Sequence, residues 1–298
     1  MPLNSNVVHK AGFVNILGRP NVGKSTLMNE MVGERLSIIT SKAQTTRHRI
    51  QGIVNSDDYQ IVFSDTPGIL DPGYKLQEFM LKSAQGALTD ADIFLYITEV
   101  NEEPARESYF IERLKKSKVP VLLLINKIDL ADQQKVEELV DTWQSHLPKA
   151  EIYPVSALNH FNVDNVFARI IELLPASPPF YPKDMLTDKS ERFIVGEIVR
   201  EKILLLYKQE IPYSVEIEVE SFKEEENIIR IRSVIFVEKD SQKGILIGHK
   251  GSSLKKVGTM AREEMEKFFR KKIFLELHVK VQKDWRNNER NLKHFGYR

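Results

Sequence analysis

The chain has 298 residues, of which 42% are hydrophobic, and its 43 basic and 42 acidic residues leave a formal net charge of +1. This length exceeds one ordinary domain and can fill two cores. The chain has no cysteine, which excludes disulfides and thiolate metal sites. No apolar run approaches the roughly 18 residues of a membrane-spanning helix. Without an apolar signal stretch at its start, the sequence predicts a cytoplasmic protein.

The charge is unevenly distributed along the chain. Residues 1–190 carry 20 basic and 24 acidic side chains, a net charge of −4. Residues 191–298 carry 23 and 18, and residues 241–298 alone carry 15 and 6, a net charge of +9. A basic C-terminal region on a nearly neutral chain suggests a polyanionic partner, although a solvated surface with local bias would give the same count.

Predicted strands and helices alternate from the start of the chain to residue 175. The predicted strands are 13–17, 50–54, 59–64, 91–98, 119–125 and 151–155. The predicted helices are 24–32, 76–88, 106–116, 133–146 and 163–174. Runs 91–98 and 119–125 are almost wholly apolar, as parallel strands buried on both faces should be. The pattern predicts a doubly wound, mostly parallel α/β domain over residues 1–175.

Four prolines within residues 175–182 interrupt this rhythm and predict a stiff, extended linker over residues 176–190. Beyond it, residues 191–207 read as a helix, and 215–219 and 229–232 alternate as half-buried strands. A glycine-interrupted helical region follows at 245–271, and 273–281 is a long period-two strand. Residues 191–298 therefore predict a separate α+β domain in the order helix, strand, strand, helix, helix, strand.

A phosphate-binding loop lies between the first strand and the first helix. Residues 18–25 read Gly-Arg-Pro-Asn-Val-Gly-Lys-Ser, which fits the strand–loop–helix context that this motif requires. Backbone N–H groups and the helix dipole favour a phosphate there. We expect Lys24 to bridge the β- and γ-phosphates and Ser25 to ligate Mg²⁺. The expected nucleotide-contacting residues are Gly18, Arg19, Pro20, Asn21, Val22, Gly23, Lys24, Ser25 and Thr26.

Two further segments predict a nucleotide-dependent switch. Asp65-Thr66-Pro67-Gly68 ends a strand, so that Asp65 can hold Mg²⁺ through water and the Gly68 N–H can approach the γ-phosphate. The polar stretch 37–48 is a switch-loop candidate. Thr45 or Thr46 would supply the second hydroxyl ligand of Mg²⁺; Thr46 is preferred, although composition does not separate the two.

The base is predicted by Asn126-Lys127-Ile128-Asp129, the guanine-reading motif of GTPases. Asp129 would accept hydrogen bonds from the N1–H and exocyclic amine of guanine, which adenine does not offer. Asn126 would brace the surrounding loops and Lys127 would lie along the base. Within Ser156-Ala157, a backbone N–H would reach guanine O6. We therefore expect GTP and GDP as ligands and GTP hydrolysis as the reaction.

In the second domain, residues 247–251 read Ile-Gly-His-Lys-Gly and carry the Gly-x-x-Gly signature of KH RNA-binding domains. The glycines would allow close approach of RNA phosphates, while His249 and Lys250 supply donors. A lone Gly-x-x-Gly is more often a turn between helices, but the type II KH element order and the local net charge of +9 favour RNA binding. The predicted RNA-contacting residues are Ile247, Gly248, His249, Lys250, Gly251 and Lys255.

These motifs resemble the translation-factor-related bacterial GTPases, and Gln44-Thr45-Thr46-Arg47 with the C-terminal half resembles the Era family. Residues 284–290, Asp-Trp-Arg-Asn-Asn-Glu-Arg, are also similar to that family. The resemblance implies a monomeric GTPase that binds the 3′ end of 16S ribosomal RNA and acts in assembly of the small (30S) ribosomal subunit. It also implies possible peripheral contact with the inner membrane.

The residue after Gly68 is Ile69, where Ras-like GTPases place a water-orienting glutamine. Ile69 cannot hydrogen-bond water, so another group must assist hydrolysis. Related GTPases with an asparagine at the position of Asn21 use it as a K⁺ ligand, which places positive charge near the transferring phosphate. The resemblance therefore implies K⁺ as a further cofactor and places Asn21 with Lys24, Thr46 and Gly68 in catalysis; a purely structural role for Asn21 is the alternative.

Two other functions remain open from the sequence. One is a membrane-associated regulatory GTPase that couples growth or the cell cycle to the GTP level through a basic surface, although no helix with a large apolar face supports it. The other is a metabolic NTPase whose second domain only mediates dimerisation.

Overall fold

The structure is a computed structural model that describes residues 8–102 and 109–297. Its chain divides into two compact units. The first comprises Met1–Ser37, Thr46–Asp71 and Met80–Asp188, and the second comprises Ile38–Thr45, Pro72–Phe79 and Lys189–Arg298. Two short segments from the N-terminal part of the chain thus group with its C-terminal part. The described ranges contain no helix that is long and apolar enough to cross a membrane.

The first unit is built on a six-stranded sheet in the order β2-β3-β1-β4-β5-β6. Strand β2 runs antiparallel to β3, and the other neighbouring strands are parallel. Strands β4 and β5 are buried almost throughout, which explains why their sequences are continuously apolar. The strands are β1 (Lys10–Leu17), β2 (Ile50–Asn55), β3 (Tyr59–Asp65), β4 (Ile93–Glu99), β5 (Val121–Asn126) and β6 (Glu151–Pro154).

In the described residues of this unit, five α-helices accompany the sheet, in the alternation that the sequence predicts. They are α1 (Lys24–Val32), α2 (Lys75–Gly86), α3 (Tyr109–Lys115), α4 (Gln133–His146) and α5 (Val163–Leu173). The first part of the predicted helix 106–116 lies outside the described residues. Helix α4 begins where the Asp132 side chain accepts a hydrogen bond of 2.8 Å from the Lys135 N–H, a normal N-cap.

The proline-rich stretch is hydrogen-bonded to the first unit along much of its length. The side chain of Gln60 accepts hydrogen bonds from the Phe180 and Tyr181 N–H groups at 2.7 and 3.0 Å. The Ile53 N–H donates to the Leu186 carbonyl at 2.8 Å, and Thr187 forms a bridge with Gly52. The predicted extended stretch is interrupted by a turn at residues 182–185, where the Met185 N–H donates to the Pro182 carbonyl at 3.0 Å. The stretch lies against strands β2 and β3 and is therefore fixed to that unit.

The second unit has a three-stranded sheet in the order β7-β8-β9, with β7 antiparallel and β9 parallel to β8. Its strands are β7 (Glu216–Glu224), β8 (Ile228–Val237) and β9 (Lys272–Val281). Its helices are α6 (Glu191–Leu206), α7 (Ile211–Ser214), α8 (Asp240–Ile247), α9 (Ser252–Phe269) and α10 (Glu289–His294). Apart from the short α7 and α10, the order is the predicted helix, strand, strand, helix, helix, strand. The predicted fold class is confirmed in both units.

Helix α6 buries charged side chains within the second unit. Arg200 is 1% exposed and donates to both Glu197 carboxylate oxygens, at 2.7 and 2.5 Å. Its guanidinium also donates to the backbone carbonyls of Gln44 and Thr45. Lys42 donates to the Leu204 and Tyr207 carbonyls. The Lys42 ammonium lies at the carbonyl end of α6, where the helix dipole favours a cation. Segment Ile38–Thr45 is thus held at that end through Lys42 and, within the helix, through Arg200.

Candidate nucleotide site and nucleic-acid groove

The phosphate-binding loop connects β1 to α1, so its N–H groups lie at the N-terminus of a helix. The Lys24 ammonium is buried and donates to the Gly18 and Arg19 carbonyls at 3.0 and 2.6 Å. Burial lowers the pKa of Lys24 to about 8, although the Asp65 and Glu102 carboxylates oppose this shift. Burial removes the water that would hydrate the Lys24 ammonium. A bound phosphate would stabilise the charged ammonium in place of that water. Lys24 thus lies where the sequence predicts it.

Three oxygen-bearing side chains from different segments meet beside this loop. The Ser25 hydroxyl lies 2.7 Å from Asp65 Oδ2 and 2.9 Å from the Thr46 hydroxyl. The Thr46 hydroxyl also donates to Asp65 Oδ2 at 3.2 Å. The Thr45 hydroxyl instead contacts Thr40 and donates to the Lys42 carbonyl. The geometry therefore assigns Thr46, not Thr45, to the cluster formed by Ser25 and Asp65.

This cluster fits a hard divalent cation. Its donors are two hydroxyls and a carboxylate, the oxygen ligands that Mg²⁺ prefers. Asp65 Oδ1 is buried and has no hydrogen-bond partner among the described residues. Burial raises the pKa of Asp65, while the Ser25 hydroxyl and the Lys24 charge act in the opposite direction. The Ser25 hydroxyl and the Lys24 charge offset the effect of burial on Asp65 only in part. A cation bound here would stabilise the ionised Asp65 carboxylate further.

The segment after Asp65 lies directly on the phosphate loop. A side chain at Gly68 would place its Cβ 2.7 Å from the Pro20 backbone nitrogen, so this close approach requires glycine. The Ile69 N–H donates to the Gly18 carbonyl at 3.1 Å, and the Ile69 side chain packs against the hydrophobic core. Ile69 therefore packs beside the phosphate loop, and its aliphatic side chain offers no hydrogen bond to water.

The guanine-reading segment is braced through Asn126, as predicted. Asn126 donates to the Val22 carbonyl at 2.7 Å and accepts from the Ala157 N–H at 3.0 Å. The Ser156 hydroxyl donates to Asp129 Oδ1 at 2.6 Å. The structure thus brings Ser156, Ala157, Asn126 and Asp129 together. The Ala157 N–H, which the sequence assigns to guanine O6, donates to Asn126 here and would have to be shared with the base.

Two acidic side chains near the loop were not predicted from the sequence. Glu102 forms an ion pair of 3.0 Å with Arg19 and accepts a hydrogen bond of 3.0 Å from Thr98. Burial raises the pKa of the Glu102 carboxyl. Glu99 forms an ion pair with Lys127. These two ion pairs fix the Arg19 and Lys127 side chains, and neither of them includes Lys24. Asn21 has a left-handed backbone conformation with φ 66°, and Thr26 is half-buried in the first turn of α1.

In the second unit, the predicted Gly-x-x-Gly segment forms the turn between α8 and α9. Gly248 has φ 72°, and a Cβ there would lie 2.2 Å from Ser253 Oγ, so the turn requires glycine at that position. His249 and Lys250 lie at the tip, where the Lys250 side chain is exposed and that of His249 is accessible. Ile247 is partly buried against the hydrophobic core of this unit. It is not among the residues that line the groove beside the turn.

That groove has a volume of about 310 Å³ and lies between α9 and β9. Two of the predicted RNA-contacting residues, Gly251 and Lys255, line it. The residues that sequence reasoning missed are Leu254, Gly258, Thr259, Arg262, Leu275 and Leu277. Period-two leucines on β9 are a usable signal for the apolar wall, since alternate residues share one face. Small and aliphatic walls beside Lys255 and Arg262 suit unstacked bases joined by phosphates.

Comparison with protein families finds two matches. Residues 13–127 match a family described as 50S ribosome-binding GTPases, and residues 210–286 match the KH domain family. The first match covers the phosphate loop, Thr46, the Asp65–Gly68 segment and Asn126. The second covers the Gly-x-x-Gly turn and the groove.

Among solved structures, an Era in complex with MgGDPNP and nucleotides 1506–1542 of 16S ribosomal RNA is 38% identical to this chain, with a TM-score of 0.92. The match covers 97% of this chain and 99% of that one. A single-residue variant of Aquifex aeolicus Era bound to GDP·AlF4⁻ gives the same identity, coverage and TM-score.

Proposed function

The chain belongs to the Era family of GTPases, and on that premise we propose that it binds the 3′ end of 16S ribosomal RNA through its KH groove and acts in assembly of the 30S subunit. The observation that carries this proposal is that a single chain contains both a phosphate loop with a hydroxyl–carboxylate cluster and a basic, aliphatic groove. The Era of 38% identity was solved with a GTP analogue, magnesium and this RNA segment.

The first unit supplies the groups that GTP hydrolysis requires. Lys24 neutralises phosphate charge, and Ser25, Thr46 and Asp65 would hold Mg²⁺, which stabilises charge on the transferring phosphoryl group. Asp129 and Asn126 select guanine and fix the loop around it. Gly68 lies against Pro20 of the phosphate loop. Its backbone N–H would donate to the γ-phosphate of GTP and lose that partner after hydrolysis.

The second unit supplies the RNA contacts. The turn at His249 and Lys250 offers donors to phosphates, and Lys255 and Arg262 place positive charge along the groove. Leu254, Leu275 and Leu277 form an apolar surface for bases that are not stacked in a duplex. A single-stranded 3′ end is therefore a suitable ligand, because its bases are accessible and its backbone is flexible.

Potassium is part of the proposal as the cofactor that compensates for Ile69. Asn21 lies in the phosphate loop and can offer a side-chain oxygen to a monovalent cation beside the transferring phosphate. We expect turnover to be low when Na⁺ is the only monovalent cation and to rise with K⁺. Asn21→Ala should abolish this difference while GTP binding is retained. Equal wild-type rates in both salts would remove potassium from the proposal.

The proposal places the protein in the cytoplasm as a monomer, with peripheral membrane contact as a secondary property. Its test is co-sedimentation of the full chain with purified 30S and 50S subunits in GTP. We expect association with 30S, and competition by free RNA of the 1506–1542 segment. Binding to 50S alone, as the family description would suggest, would contradict the proposed target. Binding to anionic vesicles without binding to either subunit would favour the membrane-associated alternative.

A further inference from the structure

A group of cations lies in the first unit at the end of the sheet opposite the nucleotide. The phosphate loop and the guanine-reading loop follow the carboxyl ends of β1 and β5. The C-terminal end of α3 and the loop into β5 lie at the opposite end of the strands, where β4, β5 and β6 begin. This region, which we call the basic edge, comprises Arg113, Lys115, Lys116, Lys118 and Lys149.

Two clefts flank the end of α3 within the basic edge. One, of about 320 Å³, is lined by Arg113, Lys116 and Lys118 together with the turn after α2. The other, of about 310 Å³, is lined by Lys115 and Lys149 together with the end of α4. No carboxylate from the described residues lines either cleft. Both clefts are therefore lined by cations, of which Lys115 is paired with the Glu112 carboxylate outside the lining.

The nearby carboxylates are already engaged. Glu112 forms an ion pair of 2.8 Å with Lys115. Asp90 pairs with Arg49 at 2.7 Å, and Asp92 accepts from the Phe13 N–H at 2.8 Å. The dipole of α3 favours cations on its last turn, but Lys118 and Lys149 lie outside that helix. Within the described part of the chain, four cations of the basic edge are exposed and have no ion pair or side-chain hydrogen bond: Arg113, Lys116, Lys118 and Lys149.

This concentration of charge runs against the composition of its surroundings. Residues 1–190 have a net charge of −4, yet the basic edge gathers five cations, and the nearby acids Glu112, Asp90 and Asp92 each have a partner among the described residues. Arg113 lies in the last turn of α3, and Lys116 follows Lys115, the last residue of that helix. Three cations line one cleft and two line the other, which suits repeated phosphate groups better than a single small anion.

The apolar side chains of the clefts argue against a membrane as the partner. Phe94, Leu114, Val121 and Leu147 are all 8% exposed or less, so none can insert into a lipid layer. Stable binding of a protein to a membrane surface gains from inserted apolar area as well as from charge, and these four side chains supply no such area. Among the described residues that line the clefts, no phenylalanine, tyrosine or tryptophan ring is exposed for base stacking. The basic edge therefore offers point charges, which is the chemistry of sequence-independent contact with a nucleic-acid backbone.

We propose that the basic edge binds the phosphate backbone of a second RNA segment, separate from the segment held in the KH groove. This inference rests on the proposed function in that RNA is the partner. The second contact is independent of the RNA sequence. The full chain therefore binds a long RNA with more phosphate contacts than the KH groove alone provides.

The test compares two RNAs with the full chain at several salt concentrations. A short pyrimidine-rich strand fills the KH groove, and full-length 16S rRNA offers further segments. Lys116→Gln/Lys118→Gln should weaken binding of the long RNA by roughly tenfold. The slope of log affinity against log salt concentration should become shallower by about one to two, which corresponds to the loss of one or two phosphate contacts. Binding of the short strand and GTP turnover should not change. The control Arg35→Gln/Lys135→Gln removes two charges from exposed positions elsewhere in the first unit and should leave both RNAs unaffected.

The outcomes separate this inference from the proposed function. Unchanged salt dependence of long-RNA binding in the Lys116/Lys118 variant would show that the basic edge is solvated surface, while short-strand binding would leave the KH assignment intact. Failure of the wild type to bind either RNA would instead overturn the proposed function. Loss of binding to vesicles of phosphatidylglycerol and phosphatidylcholine, with long-RNA binding retained, would assign the basic edge to a membrane and overturn the inference.

Discussion

The carboxyl group of Asp129 is fixed through one oxygen, because Oδ1 accepts a hydrogen bond of 2.6 Å from the Ser156 hydroxyl. Oδ2 has no hydrogen bond to a described residue and can turn toward a base. A serine hydroxyl can donate to an amide oxygen equally well, so replacing the carboxylate by an amide should preserve the geometry while reversing one donor–acceptor relation.

Asp129→Asn should therefore shift preference from GTP toward XTP, because the amide donates to the carbonyl that xanthine has in place of the guanine amine. We expect GTP affinity to fall by roughly 100-fold or more, since the base and protein would present mismatched polar groups. Competition binding of GTP and XTP measures this. The control Asp132→Asn keeps the cap of α4 and should leave selectivity unchanged. An unaltered preference for GTP would remove Asp129 from base recognition.

The lowered pKa of Lys24, about 8, predicts proton uptake when GTP binds. In the free protein Lys24 loses its proton above pH 8, whereas the bound phosphates favour the ammonium. Binding should therefore take up about half a proton at pH 8 and close to one at pH 9, and little at pH 6.5 to 7. Above pH 8, GTP affinity should fall as the pH rises, and the fall should approach tenfold per pH unit. Calorimetry in buffers of different ionisation enthalpy measures the uptake, and none at pH 9 would contradict the assignment.

At this scale, the sequence predicted residue types better than individual contacts. Lys24, Ser25, Asp65 and Asn126 follow from motif spacing because local backbone geometry fixes their positions. The choice between Thr45 and Thr46 did not, since it depends on which hydroxyl turns toward Ser25 after the loop has folded. The sequence places Ile247 among the RNA-contacting residues, whereas in the structure it is partly buried against the core of the second unit, and that packing depends on residues far apart in the sequence.

Among the secondary-structure elements, helix α6 depends on charges that are buried together. Arg200 and Glu197 face each other within the second unit, and the Arg200 guanidinium also satisfies the Gln44 and Thr45 carbonyls. Removing one partner of such a pair leaves a buried charge without compensation, which costs more than the pair contributes as a whole.

Arg200→Met should lower the free energy of unfolding of the second unit by about 3 kcal/mol or more, since the Glu197 carboxylate loses its guanidinium. Glu197→Gln/Arg200→Met should recover part of this loss. The control Arg192→Met is on the same helix but exposed, so it should change stability by about 0.5 kcal/mol or less.

Denaturant unfolding can report on this unit alone because each unit holds one of the two tryptophans, Trp143 and Trp285. In a Trp143→Phe background, the fluorescence follows Trp285, which is fully buried. Trp143 Nε1 is buried without a hydrogen-bond partner among the described residues, so this background loses no such bond. Equal midpoints for Arg200→Met and Arg192→Met would contradict a stabilising role for the pair.

Element order and most boundaries were predictable because apolar runs and periodicity are local signals. Helices α1 and α4 agree with the predicted ranges at both ends. The residues that cap these helices are adjacent to them in the sequence and are therefore a local signal. The grouping of Ile38–Thr45 and Pro72–Phe79 with the second unit was not predictable. Its basis is hydrogen bonding between residues far apart in the sequence, such as Lys42 and Leu204, which leaves no local pattern.

For the whole molecule, the charge distribution and the two sites indicate two binding activities in one chain. The nucleotide residues belong to the first unit, and the Gly-x-x-Gly turn and groove belong to the second. Substitutions at one site should therefore leave the other ligand's binding largely intact. The sequence predicts this division from the nucleotide motifs before residue 175, the proline-rich stretch and the Gly-x-x-Gly motif beyond it, and the net charges of −4 over residues 1–190 and +9 over residues 241–298 agree with it.

The most direct test of this account is titration of the 16S rRNA segment 1506–1542, the RNA in the 38% identical Era structure, against the full chain at two salt concentrations, with GTP titrated in parallel. His249→Asp/Lys250→Asp places two carboxylates at the turn where RNA phosphates should lie. We expect RNA affinity to fall by roughly 100-fold with a shallower salt dependence, and GTP affinity to stay at the wild-type value. Lys24→Ala should lose GTP while RNA still binds. Unchanged RNA affinity and salt dependence in the His249/Lys250 variant would contradict the KH groove as the RNA site.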